Sequence, residues 1–214
     1  MSGEVLALVN YYARTGYYRH VQTVCNEVLK KRGGTDFTLV FWRALGMLRE
    51  GSVSDAIKEY ETVHSRGDMQ LALPAKIGLL YAHQMSKMSD QEEVMRLQQE
   101  VSVEEGNAPD RAKLQAALLL WHLGEPATAK GYVQQLLQLQ PQSVPALTLL
   151  GWLELGEAAD DDSLDDHLMG RAESTFNKAL EACSAKKDLE ALMGRARLHQ
   201  AKEQHKEALD QLNQ

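Results

Sequence analysis

Apolar residues recur along this chain in short helical stripes, paired around a glycine or a polar turn. The clearest pair runs from Ala117 to Pro141. Ala117 is a small residue inside an apolar helix, and Gly124 ends that helix. Pro126 opens the next, where a missing N–H is no loss. Ala129 is small again, Val133, Leu136 and Leu137 follow at helical spacing, and Pro141 closes the unit.

Moving this template along the chain predicts five further pairs. Residues 2–31 place Val5, Val9 and Tyr12 on a first helix, Gly16 at the turn, and Tyr18, Val21, Cys25 and Val28 on a second. Residues 37–66 give Val40, Ala44 and Met47, then Gly51, then Val53, Ala56, Tyr60 and Val63. Ser54 and Asp55 beside that turn suit a helix start. Residues 70–105 are a weaker copy: Ala82 takes the small position, Ser89 replaces the turn glycine, and Val94 and Val101 mark the second helix. The linker from Met85 to Asp90 reads as long and polar.

After the copy at 110–141, a fifth unit covers about 145–185. Leu147, Leu150 and Gly151 begin it, and Ala172, Phe176, Ala179 and Leu180 finish it. Between them an inter-helix loop is expected from Gly156 to about Met169, with an acidic insertion at Asp160–Asp162 and Asp165–Asp166. A sixth unit, 188–214, carries Leu192, Ala196 and His199, then His205, Ala208 and Leu212. It stops inside its second helix with no polar cap, which predicts that the array continues in a longer protein.

The small first-helix positions are 9, 44, 82, 117, 151 and 196, separated by 35, 38, 35, 34 and 45 residues. A helix–turn–helix period of about 34 is the tetratricopeptide signature. Ankyrin units would begin Thr-Pro-Leu-His, which is absent, and HEAT and armadillo units are longer. The expected fold is all-α: one domain over 1–214, a right-handed α-solenoid of about six tetratricopeptide repeats, the last incomplete. A lone helix pair cannot bury both its faces, so the units must stack.

Composition agrees with this. Leu, Ala, Glu, Gln and Lys dominate, hydrophobic residues make up 44%, and no stretch alternates as a strand would. The net charge of −7 argues against a nucleic-acid partner. Lys30-Lys31-Arg32 and Lys186-Lys187 are short and fall at predicted helix ends, where they favour the dipole. No signal peptide precedes Tyr11 and no apolar run nears the ~20 residues of a membrane span. A soluble intracellular fragment, monomeric and without membrane insertion, is expected. Cys25 and Cys183 read as half-buried thiols on helix faces.

Catalytic and metal chemistry find no support in these residues. Gly124–Gly131 has Ala before Lys130 and no preceding strand, so it is not a phosphate loop. In the run Asp160–Asp166, Leu164 stands where a calcium ligand belongs and Gly170 is misplaced, so a solvated loop is expected. The histidines 20, 64, 83, 122, 167, 199 and 205 form no ligand pair at helical spacing. His199 reads as a packing residue. No nucleophile motif or singled-out carboxylate pair occurs. No catalytic residue, metal or cofactor is expected.

The predicted groove is more informative. In such arrays the concave face is lined by first-helix positions −3, +1, +4 and +5 from the small residue. These include Phe41, Leu45, Leu48 and Arg49; Leu114, Leu118, Trp121 and His122; and Thr148, Trp152 and Leu155. Large apolar residues there suggest anchors for a protein partner. Packing between neighbouring helices is the alternative. A chaperone-tail clamp would need Lys and Asn at fixed groove places. Leu6 and Trp42 occupy such places, and only Asn10 and Lys76 fit.

Leu8–Tyr12, Gly16–Tyr18, Met47–Gly51, Leu80–Ser86 and Leu120–Gly124 stand in an order and spacing that resembles the N-terminus of the tetratricopeptide repeat protein 21 family. The resemblance covers essentially the whole chain. It implies a non-catalytic scaffold subunit of intraflagellar transport complex A, serving return traffic along cilia and ciliary entry of membrane cargo. The implied partners are other subunits of that complex and cargo proteins, and the implied location is the cytoplasm and the cilium or flagellum with its base. The acidic insertion in unit five has no counterpart in the family pattern. A co-chaperone docking module, or a repeat domain regulating an attached enzyme, are the competing classes.

Overall fold

The computed structural model describes residues 3–87, 90–160, 166–183 and 188–212. Ser89, Asp161–Asp165, Lys186-Lys187 and the side chain of Leu212, all used above, lie outside the described residues. The described residues hold twelve α-helices and no strand. They divide into two compact units, 1–125 and 126–214.

The first unit contains α1 (Gly3–Arg14), α2 (Tyr18–Lys31), α3 (Phe37–Arg49), α4 (Val53–Ser65), α5 (Ala72–Met85), α6 (Gln91–Asn107) and α7 (Asp110–Leu123). From α1 to α6 each helix packs on the next, while α7 packs on α5 rather than on α6, and α5 also touches α3. Asp90 caps α6, its carboxylate accepting from the Glu92 and Glu93 amides. Ser54 and Asp55, by contrast, fall inside the first turn of α4, where Asp55 faces the positive helix end and pairs with Lys58.

Close approach between neighbours needs missing side chains. A Cβ on Gly46 would stand 3.0 Å from the Tyr18 carbonyl, and one on Gly78 would stand 2.5 Å from the Tyr60 ring. Ala44, Ala82 and Ala117, the small positions read from the period, are fully buried. Arg43 ties three helices together. It meets both Glu59 carboxylate oxygens at 2.8 Å on α4 and donates to Asn26 at 2.8 Å on α2.

The second unit contains α8 (Pro126–Leu139), α9 (Val144–Asp160), α10 (Asp166–Ala182), α11 (Leu189–Ala201) and α12 (His205–Leu212). Phe176 on α10 is fully buried between two glycines. A Cβ on Gly151 of α9 or Gly194 of α11 would stand 2.7 Å or 2.3 Å from its Cε1. The loop expected over Gly156–Met169 is shorter than the sequence suggested, because α9 runs on to Asp160 and α10 begins at Asp166. The extra turns take part in packing. Lys130 holds Glu157 at 2.6 Å, and Ala158 and Met169 are buried. Glu154 is buried too, accepting from Arg171 at 2.8 Å and the Thr175 hydroxyl at 2.7 Å.

One turn recurs. At Gly16, Gly51 and Gly124 the backbone is left-handed (φ 76°, 85° and 96°). The following amide then reaches back five residues, to Tyr12, Met47 and Leu120, at 2.9 Å each. Between α11 and α12 the same closure is made by Glu203 at φ 59°, with the Gln204 amide 2.8 Å from the His199 carbonyl. Each of these turns lies seven residues beyond a small position. Unit five has Ala158 at that place, inside α9.

Candidate functional site

The first-helix inner positions of the first unit converge on an aromatic and cationic cluster. Phe41 sits edge-on to both Trp42 (ring centroids 5.1 Å apart) and Tyr60 (5.7 Å). Trp42 meets His122 edge-on at 6.0 Å, so α3 reaches α7 directly. Trp121 stacks on His122 at 5.1 Å. Arg49, an exposed residue, lies over the Tyr18 ring at 5.2 Å in a cation–π contact.

His122 is buried, and burial together with the charges of Arg14 and Arg49 pushes its pKa down to about 3. The imidazole is neutral at physiological pH. The coupling also places Arg14 of α1, Arg49 of α3 and His122 of α7 in one neighbourhood. Each stands five residues after the small position of its unit.

This geometry revises the groove expected from the period. Phe41, Leu45 and Leu48 are fully buried, His122 is 6% exposed and Leu155 5%. These five are buried among neighbouring side chains. In the first unit Trp42 of α3 and His122 of α7 meet edge-on, and Phe41, Leu45 and Leu48 face neighbouring side chains rather than solvent. Leu155 belongs instead to the core around Phe176 in the second unit. Arg49 remains exposed, and Leu118, Trp121 and Trp152 are partly buried. Leu114 is partly buried as well, and Thr148 is buried.

Trp152 belongs to the second unit and has a structural contact. Its indole N–H donates to the Glu190 carbonyl at 3.2 Å, and its ring meets Phe176 edge-on at 5.8 Å. Thr148 donates to Asp188 at 3.4 Å. These two residues of α9 therefore grip the start of α11.

Sequence reasoning missed Arg14 and Gln115 as members of the inner cluster, and met Trp42 only as a residue that spoils a chaperone-tail clamp. Arg14 was recoverable, because the +5 rule that selected Arg49 and His122 selects it too. Trp42 and Gln115 stand two residues before their small positions, outside the rule. Gln115, Asn10 and His122 are each nine-tenths or more buried, as is Trp42. Among the described residues, Asn10 Oδ1, Trp42 Nε1, Gln115 Oε1 and His122 Nε2 have no hydrogen-bond partner.

Comparison with known proteins places these features in context. A family model described as "Tetratricopeptide repeat protein 21 N-terminal ARM repeat" matches residues 9–214. Tetratricopeptide repeat protein 21B of Xenopus laevis is 32% identical over 98% of this chain and 15% of its own length. The human 21B and 21A proteins are 29% and 28% identical over 100% and 98% of this chain. The chain thus spans about 15% of the length of these relatives. Among solved structures, a thermophilic TPR protein from Thermus thermophilus aligns with 94% of this chain and 99% of its own, at 22% identity and a TM-score of 0.42.

Proposed function

The chain belongs to the tetratricopeptide repeat protein 21 family, and on that premise we propose that it is the N-terminal repeat region of a non-catalytic scaffold subunit of intraflagellar transport complex A. The role in this reading is return traffic along the cilium and ciliary entry of membrane cargo. The partners are other subunits of the complex and cargo proteins, and the location is the cytoplasm and the cilium with its base. The six repeat units with the boundaries given above are part of the same reading.

The observation that carries it is the family match over residues 9–214, which leaves almost none of the chain unaccounted for. The fold supports it. Stacked helix pairs expose long side-chain surfaces and suit protein contact. Among the described residues no helix is long and apolar enough to cross a membrane. Partner contact is assigned to the inner-face residues that keep exposure: Arg49, Leu118, Trp121 and Trp152.

The test is the behaviour of the whole protein. Tagged full-length protein should concentrate at the ciliary base and along the cilium, and co-purify with the other complex A subunits. A cytosolic protein that brings down none of them would overturn the proposal. Within it, Trp121→Glu should weaken capture of those subunits with helical content kept. Unchanged capture would remove Trp121 from the contact surface.

A further inference from the structure

We infer that the outer face of α8 docks on the same face of a second copy of this chain, the two helices running antiparallel about a two-fold axis at the level of Val133. This goes beyond the scaffold reading and does not rest on it. It departs from the monomer expected from the sequence.

Charge singles out this face. The chain carries a net charge of −7, so two copies repel unless they meet where charge is absent. Of the helices that close each repeat, α2, α4, α6, α10 and α12 all expose charged side chains, among them Lys30, Glu61, Glu92, Lys178 and Lys206. The one charged residue of α8 is Lys130, and Glu157 of α9 holds it at 2.6 Å. From Ala127 to Leu139 every exposed residue is neutral. Depletion of charge marks the centres of protein interfaces. An amide side chain both donates and accepts, so a glutamine face can bond to its own copy, which a face of one charge sign cannot.

Shape is the second, independent argument. At helical spacing Ala127, Thr128 and Gly131 occupy the first half of the outer face, and Gln135, Gln138 and Leu139 the second. The first three are small and the last three are long. A two-fold axis at Val133 sets Ala127 against Leu139 of the other copy, Thr128 against Gln138 and Gly131 against Gln135. Each small residue thus faces a long one, and each pair recurs on the far side of the axis. Leu139, 70% exposed in the single chain, covers Ala127. The Gln138 amide reaches the Thr128 hydroxyl. Gln135 lies across the helix backbone at Gly131, which is bare, since a Cβ there would meet nothing within 4 Å. Side chains matched in this way let helix axes approach to about 8–10 Å. A parallel pair would set every residue against itself and leave the small half unfilled. One helix face is small beside the about 1,200 Å² of a stable specific interface, so the pairing is weak and needs high concentration.

Sedimentation equilibrium of the 214-residue chain tests this, from about 10 μM to about 1 mM. A reversible monomer–dimer equilibrium is expected, and added salt should strengthen it, because screening relieves the repulsion between two acidic chains. Gln135→Glu places two carboxylates near each other across the axis and should weaken pairing about tenfold. Gln135→Lys should weaken it by the same mechanism, and an equimolar mixture of the two variants should pair again. Gly131→Ala should stabilise the folded chain yet weaken pairing about tenfold, because its methyl group fills the space that Gln135 of the other copy needs. Gln98→Glu, on the exposed face of α6, adds the same charge elsewhere and should leave pairing within about twofold of the parent.

A chain that stays monomeric up to about 1 mM would overturn the inference. So would pairing that Gln135→Glu and Gly131→Ala leave unchanged, which would put the contact on another face. A mixture of the Gln135→Glu and Gln135→Lys variants that stays apart would refute the antiparallel register. Masses that climb past the dimer would refute the closed two-fold.

Discussion

Gly194→Ala should unfold the second unit more readily, although alanine is the better helix former. The substitution itself favours the helix by about 1 kcal/mol. Against this, the new methyl carbon would stand 2.3 Å from both Cε1 and Cζ of Phe176, more than about 1 Å inside ordinary contact. The ring has little room to retreat, because it is fully buried and Gly151 also packs against it so closely that a Cβ there would stand 2.7 Å from Cε1. Helix α11 must therefore move, and overpacking of this kind costs about 3 kcal/mol at the upper end of its usual range. The net expectation is a loss of about 2 kcal/mol, read by urea unfolding with helical circular dichroism and Trp152 fluorescence. Gly131→Ala in α8 is the control: nothing lies within 4 Å of its Cβ. That variant should gain about 1 kcal/mol. Phe176→Leu should relieve Gly194→Ala, giving a double mutant at least about 1 kcal/mol more stable than the sum of the singles. If Gly194→Ala matches or exceeds the parent, or the two changes simply add, the close approach of α9, α10 and α11 around Phe176 is wrong.

Three further outcomes follow from the same geometry. Glu203→Gly should raise stability by about 1 kcal/mol in thermal or urea unfolding, since the turn holds a side-chain-bearing residue at φ 59° where an L-residue is strained. The pKa of His122 is depressed from 6.5 to about 3 in the fold, so the unfolded chain binds the extra proton first. Its contribution is therefore whole above pH ~6.5 and is lost as pH falls toward 3, at up to about 1.4 kcal/mol per pH unit. His122→Phe should remove that slope from a urea series between about pH 6.5 and 5, and parallel slopes in parent and variant would contradict it. Burial pushes the Cys25 thiol up to about 12, whereas Cys183 is partly exposed. A neutral thiol reagent should modify Cys183 in the folded chain and reach Cys25 only in denaturant.

The period of small residues, glycines and apolar stripes was enough to fix helix pairs and their register, because a helix must bury one face and the turn must accept a left-handed residue. Gly16, Gly51 and Gly124 were readable for that reason. Glu203 was not, because its own preference is against the left-handed turn that the Gln204–His199 hydrogen bonds and the Lys202–Glu173 ion pair hold in place. The acidic stretch after Gly156 read as loop, yet Glu157, Ala158 and Met169 gain partners across helices that outweigh local polarity. The inner face shows the same division. Register alone put Arg49 and His122 on it, and ordering by type marked Phe41, Leu45 and Leu48 as anchors. Tertiary packing decided otherwise. The contact between Trp42 and His122 depends on how closely α3 and α7 approach, a distance set by many side chains at once and by no single repeat. That approach buries the aliphatic residues, leaves the cations in place, and strands four polar atoms beside them.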